Sequence, residues 1–400
     1  MAAGPQSQRL SVIEKLLENV NVMAFPDMWG PEKVIHVYDA CIGMEGIVII
    51  DNTARGPGKG GVSIRPGVTP MELFRNARTM TWTCALADLP FGGAMGSVSA
   101  DPYVIDKIRL IKAFARAVSH FVPDQWVPAP AMNVGEREIE AFVNEIGDLK
   151  AATGKPERLG GIPHELGITG FGVGVSIETT LEILSQVAPI QRSIEGLRVA
   201  IHGFGNVGSA LAKYLSNKGA KIVGLSDYWG AAYSSEGIDV SRAIKHARAD
   251  SEARSIKRCK GAAEMPRDDL PRVDCDVLVP ACVENVITEK NAGLIKAKLV
   301  VEAANNPTTS AAEEILFKNG ILVIPDLLAN AGGAIGSHAE CSGLSAEKAF
   351  ALIDSIIRRN TRLVLKGSID SETISLPRAV AINIAMERVS KALRAREGRV

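Results

Sequence analysis

The chain has 400 residues, 46% of them hydrophobic and 22% charged, with 45 basic side chains (Lys+Arg) balancing 45 acidic ones. That length buries a large core and suits two domains, and the neutral balance offers no electrostatic footing for nucleic acid or an acidic membrane surface. The first residues, MAAGPQSQRL, lack the apolar stretch of a signal peptide, and no apolar run is long enough to span a bilayer.

Six cysteines (Cys41, Cys84, Cys259, Cys275, Cys282, Cys341) are scattered without a C-x-x-C pair. They read as reduced thiols rather than disulfides or a zinc site, so no metal is expected and the cytoplasm is the expected compartment.

In chain order, residues 8–22 carry helical spacing of apolar positions. The stretch 34–61 alternates in β-rich runs and ends in a glycine-rich turn. Thr69-Pro70 opens a capped helix that runs up to Leu89. A helix over about 106–121 follows, then a loop WVPAPAMNVG whose prolines forbid helix, then a helix over about 136–149. A helix over about 174–187 leads into short β-branched runs alternating with helical segments: RVAIH, AKIVGLSD, DVLVP, LVVEAANN and ILVIPD. That alternation predicts a parallel, doubly wound sheet. From about Ser345 to Val400 the pattern is helical again, resuming after Pro377.

Gly203-Phe204-Gly205-Asn206-Val207-Gly208 is G-x-G-x-x-G between a strand and a helix, with the acidic Asp227 closing the next strand. The glycines permit a tight turn and close backbone approach, and a pyrophosphate meets the free N–H groups at the helix N-terminus. Asp227 in that position accepts hydrogen bonds from ribose hydroxyls, which favours NAD and leaves NADP open.

One further stretch organises the rest: Leu89-Pro90-Phe91-Gly92-Gly93-Ala94-Met95-Gly96, followed by Asp101-Pro102. With Lys59-Gly60-Gly61, Met80-Thr81-Trp82, Trp126-Val127-Pro128-Ala129-Pro130, Thr169-Gly170, VEAANNPTT and Asn330-Ala331-Gly332-Gly333, it resembles the glutamate/leucine/phenylalanine/valine dehydrogenase family, from about residue 35 to 340. The resemblance implies an N-terminal α/β substrate and oligomerisation domain (1–175) and a Rossmann-type NAD(P)-binding domain (176–344). The C-terminal helices (345–400) fold back on the first domain, and subunits assemble as hexamers. It adds Thr169, Ala281, Asn305 and Asn330 to the expected cofactor contacts.

The resemblance also exposes three replacements. Thr83 stands where the family has the lysine that binds the substrate α-carboxylate. Met95 stands at the catalytic lysine, and Ala131 at the proton-shuttling aspartate. Neither methionine nor alanine exchanges a proton, and losing one positioned acid or base removes about 10²–10⁴ in rate. Ordinary glutamate deamination is therefore not expected.

Lys59 and Ser337 remain at family positions for the substrate side-chain carboxylate. Lys59 reads either as an anion holder or as a structural ion pair at the cleft rim. His164, Glu165, His338 and Glu340 are polar newcomers near the expected cleft, with His164 and His338 the candidate proton donors. Two functions follow. The first is an NAD(P)-dependent oxidoreductase with a remodelled substrate site. The alternative is a non-catalytic paralogue, regulatory or structural, in a homo-hexamer or in a mixed hexamer with an active subunit, taking a small-molecule substrate or effector.

Overall fold

The computed structural model describes residues 26–186, 193–247, 255–369, 375–396 and 398. The helical pattern expected over 8–22 lies outside them. Two sheets carry the architecture. The first has the order β1-β2-β4-β3-β5 (Lys33–Asp39, Met44–Asn52, Gly92–Val98, Gly58–Ile64, Trp126–Pro130). Here β1, β2 and β4 run antiparallel in sequence, while β3 lies parallel to both β4 and β5. The second has the order β12-β11-β10-β6-β7-β8-β9, parallel from β12 (Leu322–Ile324) through β11 (Leu299–Val301), β10 (Val277–Pro280) and β6 (Arg198–His202) to β7 (Lys221–Ser226). The short strands β8 (Ala231–Tyr233) and β9 (Ala263–Met265), too short to signal themselves in sequence, add an antiparallel edge. This is the two-domain α/β fold with a doubly wound sheet, closed by the C-terminal helices Ala346–Ile369 and Pro377–Arg396.

Two expected loops are strands. Gly92–Val98, within the signature stretch, is β4, fully buried between β2 and β3. Its glycines are required by crowding. A Cβ on Gly92 would lie 1.7 Å from the Asn52 carbonyl oxygen, and one on Gly93 2.3 Å from the Thr81 nitrogen. Glycine lowers strand propensity, but here it lets a strand and the Pro70–Leu86 helix close on the same backbone. Likewise WVPAP is the edge strand β5, where proline costs no ladder bond.

The helix expected from 174 begins at Ile168. Gly170, Gly172 and Gly174 hid its first turns. A Cβ on Gly170 would meet the Val207 oxygen at 2.6 Å and one on Gly174 the Tyr214 ring at 2.3 Å, so these glycines let it press against the Asn206–Asn217 helix. The other helices fall close to expectation: Pro70–Leu86, capped by Thr69 with proline in its first turn, Lys107–Val118, and Glu136–Ile146. The C-terminal helix Pro377–Arg396 lies along Pro70–Leu86, where Arg388 Nη1 donates to the carbonyl oxygens of Ala85 (2.9 Å) and Leu86 (2.7 Å). No described helix is long and apolar enough to cross a membrane.

Candidate active site and dinucleotide cleft

Between the two sheets lies a cleft of about 1060 Å³. Lys59, Thr83, Met95 and Ala131 line it from the first sheet and its helix; His164, Thr169 and Ser337 come from the connecting segments; Gly205, Asn206, Val207, Ala281, Asn305 and Asn330 come from the second. The strand order reverses at β6, which lies between β7 and β10, and the glycine turn follows β6 at that switch point.

Each turn glycine has its own reason. Gly203 has φ +121°, and a Cβ there would meet the Ala281 carbonyl oxygen at 2.6 Å. Gly208 would strike the Gly203 oxygen at 1.9 Å. Gly205, the N-cap of the Asn206–Asn217 helix, has nothing within 4 Å of its Cβ position, so space stands open over the N-terminus where a pyrophosphate would sit.

Four of the expected cofactor contacts do not line the cleft. Gly203 and Gly208 shape the turn, and Phe204 is buried in the core with Val199, Ile201 and Leu211. Asp227 is occupied with its own loop: Oδ1 accepts from Trp229 N–H (2.9 Å), Gly230 N–H (3.2 Å) and Ser255 Oγ (2.9 Å), and Oδ2 from Ile256 N–H (2.7 Å). A carboxylate has about four acceptor sites, so little remains for a ribose hydroxyl. The sequence could not reveal this, because the donors of Ser255 and Ile256 lie nearly thirty residues away.

At Met95, Thr83 and Ala131 no side chain carries a titratable group. Met95 is buried among Ile47, Ile49, Leu73 and Ala77, and its Sδ accepts the Gly61 N–H at 3.1 Å. Thr83 is buried on the helix. The methyl group of Ala131 lies over Gly61, where an added Cβ would come within 2.5 Å. Thr83, Met95 and Ala131 therefore bring no charge to this side of the cleft.

Among the described residues Lys59 forms no rim ion pair. It is 1% exposed, and Nζ donates to the Val127 oxygen (2.8 Å), the Pro128 oxygen (3.2 Å) and Thr153 Oγ1 (2.5 Å), its full complement of three. Thr153 Oγ1 in turn donates to Ser337 Oγ at 3.0 Å, a link that sequence reading missed because nothing in Ala151-Ala152-Thr153-Gly154 signals it. Burial lowers the Lys59 pKa to about 8.

His164 lines the cleft with Nε2 shut from solvent and unpartnered. Burial, and then the Lys59 charge, lower its pKa to about 4, so at neutral pH it has no proton to give as an imidazolium. His338 does not line the cleft; it packs edge-on to Phe91, with ring centroids 6.0 Å apart. The acidic newcomers are structural. Glu165 Oε1 accepts the Glu136 N–H at 3.2 Å, at the start of the Glu136–Ile146 helix. Glu340 pairs with Lys155 and accepts the N–H groups of Gly154 and Ile162, both at 2.8 Å. Among the described residues, no group of three or more His, Cys, Asp or Glu side chains is placed to hold a metal ion.

Comparison with known proteins decides the lineage. Residues 160–397 match the model of the Glutamate/Leucine/Phenylalanine/Valine dehydrogenase family, and residues 31–148 match that of the Glu/Leu/Phe/Val dehydrogenase dimerisation domain. The chain belongs to this family. Its relatives in the Glu/Leu/Phe/Val dehydrogenase family include the glutamate dehydrogenase of Aeropyrum pernix, 39% identical over 86% of this chain and 85% of that one. The NADP-specific glutamate dehydrogenase of Saccharolobus shibatae is 36% identical, covering 92% and 90%. An NAD-specific glutamate dehydrogenase of Staphylococcus aureus is 39% identical over 72% and 70%. Among solved structures, the hetero-hexameric glutamate dehydrogenase of Thermus thermophilus, in a leucine-bound form, is similar with a TM-score of 0.81 and 25% identity, covering 99% of this chain and 98% of that one. The family is one of NAD- or NADP-dependent amino-acid oxidoreductases, and the open space over Gly205 fits such a dinucleotide.

Proposed function

We propose that this chain binds NAD(H) or NADP(H) in the cleft, does not carry out ordinary glutamate deamination, and serves as a non-catalytic subunit in a mixed hexamer with an active paralogue. The observation that carries this reading is Met95: a buried thioether, capping Gly61 N–H, where the family's catalytic lysine is expected. Ala131 and Thr83 support it from the same cleft. His164, held near pKa 4, is no replacement acid, and the three donors of Lys59 are already engaged. That a similar structure is hetero-hexameric supports mixed assembly here.

The second reading is an oxidoreductase acting on a different compound. One observation favours it: a cleft-lining lysine with a pKa near 8 is a group poised to exchange a proton near neutrality. Two experiments separate the readings. The purified chain is tested for NADH and NADPH oxidation with 2-oxo acids and ketones, with and without ammonium. It is also co-expressed, tagged, with a family member that retains both lysines and the aspartate. A stable mixed hexamer with no turnover by the isolated chain supports the subunit reading. Turnover by the isolated chain with any compound on the panel overturns it.

A further inference from the structure

Away from the replaced residues, one buried charged cluster has no role in the chemistry above. Arg378, in the first turn of the C-terminal helix, meets three carboxylates: Nη2 to Glu302 Oε2 at 2.5 Å, Nε to Glu313 Oε2 at 2.6 Å, and Nη1 to Asp326 Oδ1 at 2.9 Å. Glu302 and Asp326 side chains are fully buried and Glu313 nearly so. Three acids around one base is an unbalanced arrangement, tolerable only while the guanidinium is present.

Two of these carboxylates organise the turns that bear the expected cofactor contacts. Asp326 N–H donates to Glu302 Oε2 at 2.8 Å, joining the turn after β11 to the turn after β12. Asp326 Oδ2 accepts the Asn306 N–H at 2.8 Å, and its carbonyl oxygen accepts the Asn330 N–H at 2.8 Å. Between the turns, Asn330 Nδ2 donates to Asn305 Oδ1 at 2.8 Å. Asn306 also reaches the opposite wall of the cleft, where its Nδ2 donates to Asn76 Oδ1 (3.0 Å) and its Oδ1 accepts from Thr79 Oγ1 (3.2 Å). Asn76 and Thr79 lie on the Pro70–Leu86 helix, whose last carbonyls are gripped by Arg388, ten residues beyond Arg378 on the same C-terminal helix.

We propose that Arg378 is a positioning residue for the dinucleotide: it pins the two turns that present Asn305 and Asn330, and so ties the cofactor side of the cleft to the C-terminal helix. The inference rests on the cofactor-binding part of the proposed function. Arg378 does not touch the cofactor. It keeps Glu302 and Asp326 side by side: Glu302 Oε2 accepts from both the guanidinium and the Asp326 N–H, and Asp326 Oδ2 is left to hold the Asn306 N–H. A lysine could not replace it, because one ammonium cannot offer the planar fork of donors that reaches three carboxylates.

The test is NADH titration by fluorescence on the full chain, with melting temperature measured in parallel. Asp326→Asn puts an amide donor against either Arg378 or the Asn306 N–H, and Arg378→Lys removes the fork. Each is expected to raise the NADH Kd at least about tenfold, the cost of roughly one misplaced hydrogen-bonded contact. Glu313→Gln is the control, since Glu313 touches Arg378 but neither turn; its Kd stays within about twofold of the parent. A purely structural cluster would lower the melting temperature in all three and leave the Kd of the folded protein alone. If Arg378→Lys does not fold, Asp326→Asn decides. A folded Asp326→Asn chain with parental Kd overturns the proposal, as does a Glu313→Gln chain weakened equally. Failure of the unaltered chain to bind either NADH or NADPH overturns the cofactor reading beneath it.

Discussion

At the residue scale, Met95 sits where the family's proton-exchanging lysine is expected, and it is packed in an apolar setting. Ile47, Ile49, Leu73 and Ala77 surround the side chain and Gly61 N–H meets its sulfur. Met95→Lys alone is therefore expected to leave glutamate oxidation within about tenfold of the parent, because catalytic groups that act as a unit are not additive. The triple T83K/M95K/A131D, if it folds, is expected to gain about 10²-fold or more, measured as glutamate-dependent NAD(P)H formation. A large gain from the single change would contradict this. Lys59 supplies a pH test. Its pKa is about 8 in the fold, below the ordinary value of 10.5. Between those values the unfolded chain holds a proton that the folded chain lacks, so stability contributed by this site rises with pH across that window; below it the burial penalty is at full strength. Urea unfolding of the parent and of Lys59→Met from about pH 7 to 10 checks the sign. The difference in stability between them should shift in favour of the parent as pH rises, and parallel profiles would show that burial does not lower the Lys59 pKa.

At the element scale, the glycine turn offers a pair of substitutions with opposite signatures. Gly205→Ala meets open space and keeps an ordinary φ of −79°, so the melting temperature should hold while NADH binding weakens about tenfold or more, the methyl occupying the space left for the pyrophosphate. Gly208→Ala drives a Cβ to 1.9 Å from the Gly203 oxygen, so stability itself should fall, by roughly 1–3 kcal/mol or more. Equal effects on both would mean that the space over Gly205 is not the ligand's. Elements with a clean period were legible in the sequence: the parallel strands of the second sheet, and the helices Pro70–Leu86 and Lys107–Val118. The elements that escaped were those where packing overrode propensity. β4 and β5 looked like loops because glycine and proline dominate them, and only the neighbours' close backbones and an edge position explain why they are strands. Asp227 shows the same limit at the site: its residue type fits a ribose contact, but partners distant in sequence claim its oxygens.

At the scale of the whole molecule, the proposed function separates two properties that the family joins. The architecture for holding a dinucleotide is intact, from the switch point at β6 to the asparagine pair across the turns after β11 and β12. On the proposed function, the groups that would move protons at the substrate are not. A subunit of that kind contributes through assembly, so a mixed hexamer with an active paralogue should survive size-exclusion chromatography with both chains present in fixed ratio. Recovery of separate homo-hexamers only would count against it. The most direct test of the central claim measures dinucleotide binding and glutamate turnover on one preparation of the isolated chain. The account predicts saturable binding of NADH or NADPH, with glutamate-dependent reduction at least about a thousandfold below an ordinary enzymatic rate of about 10 s⁻¹. Turnover of glutamate near that ordinary rate would contradict it.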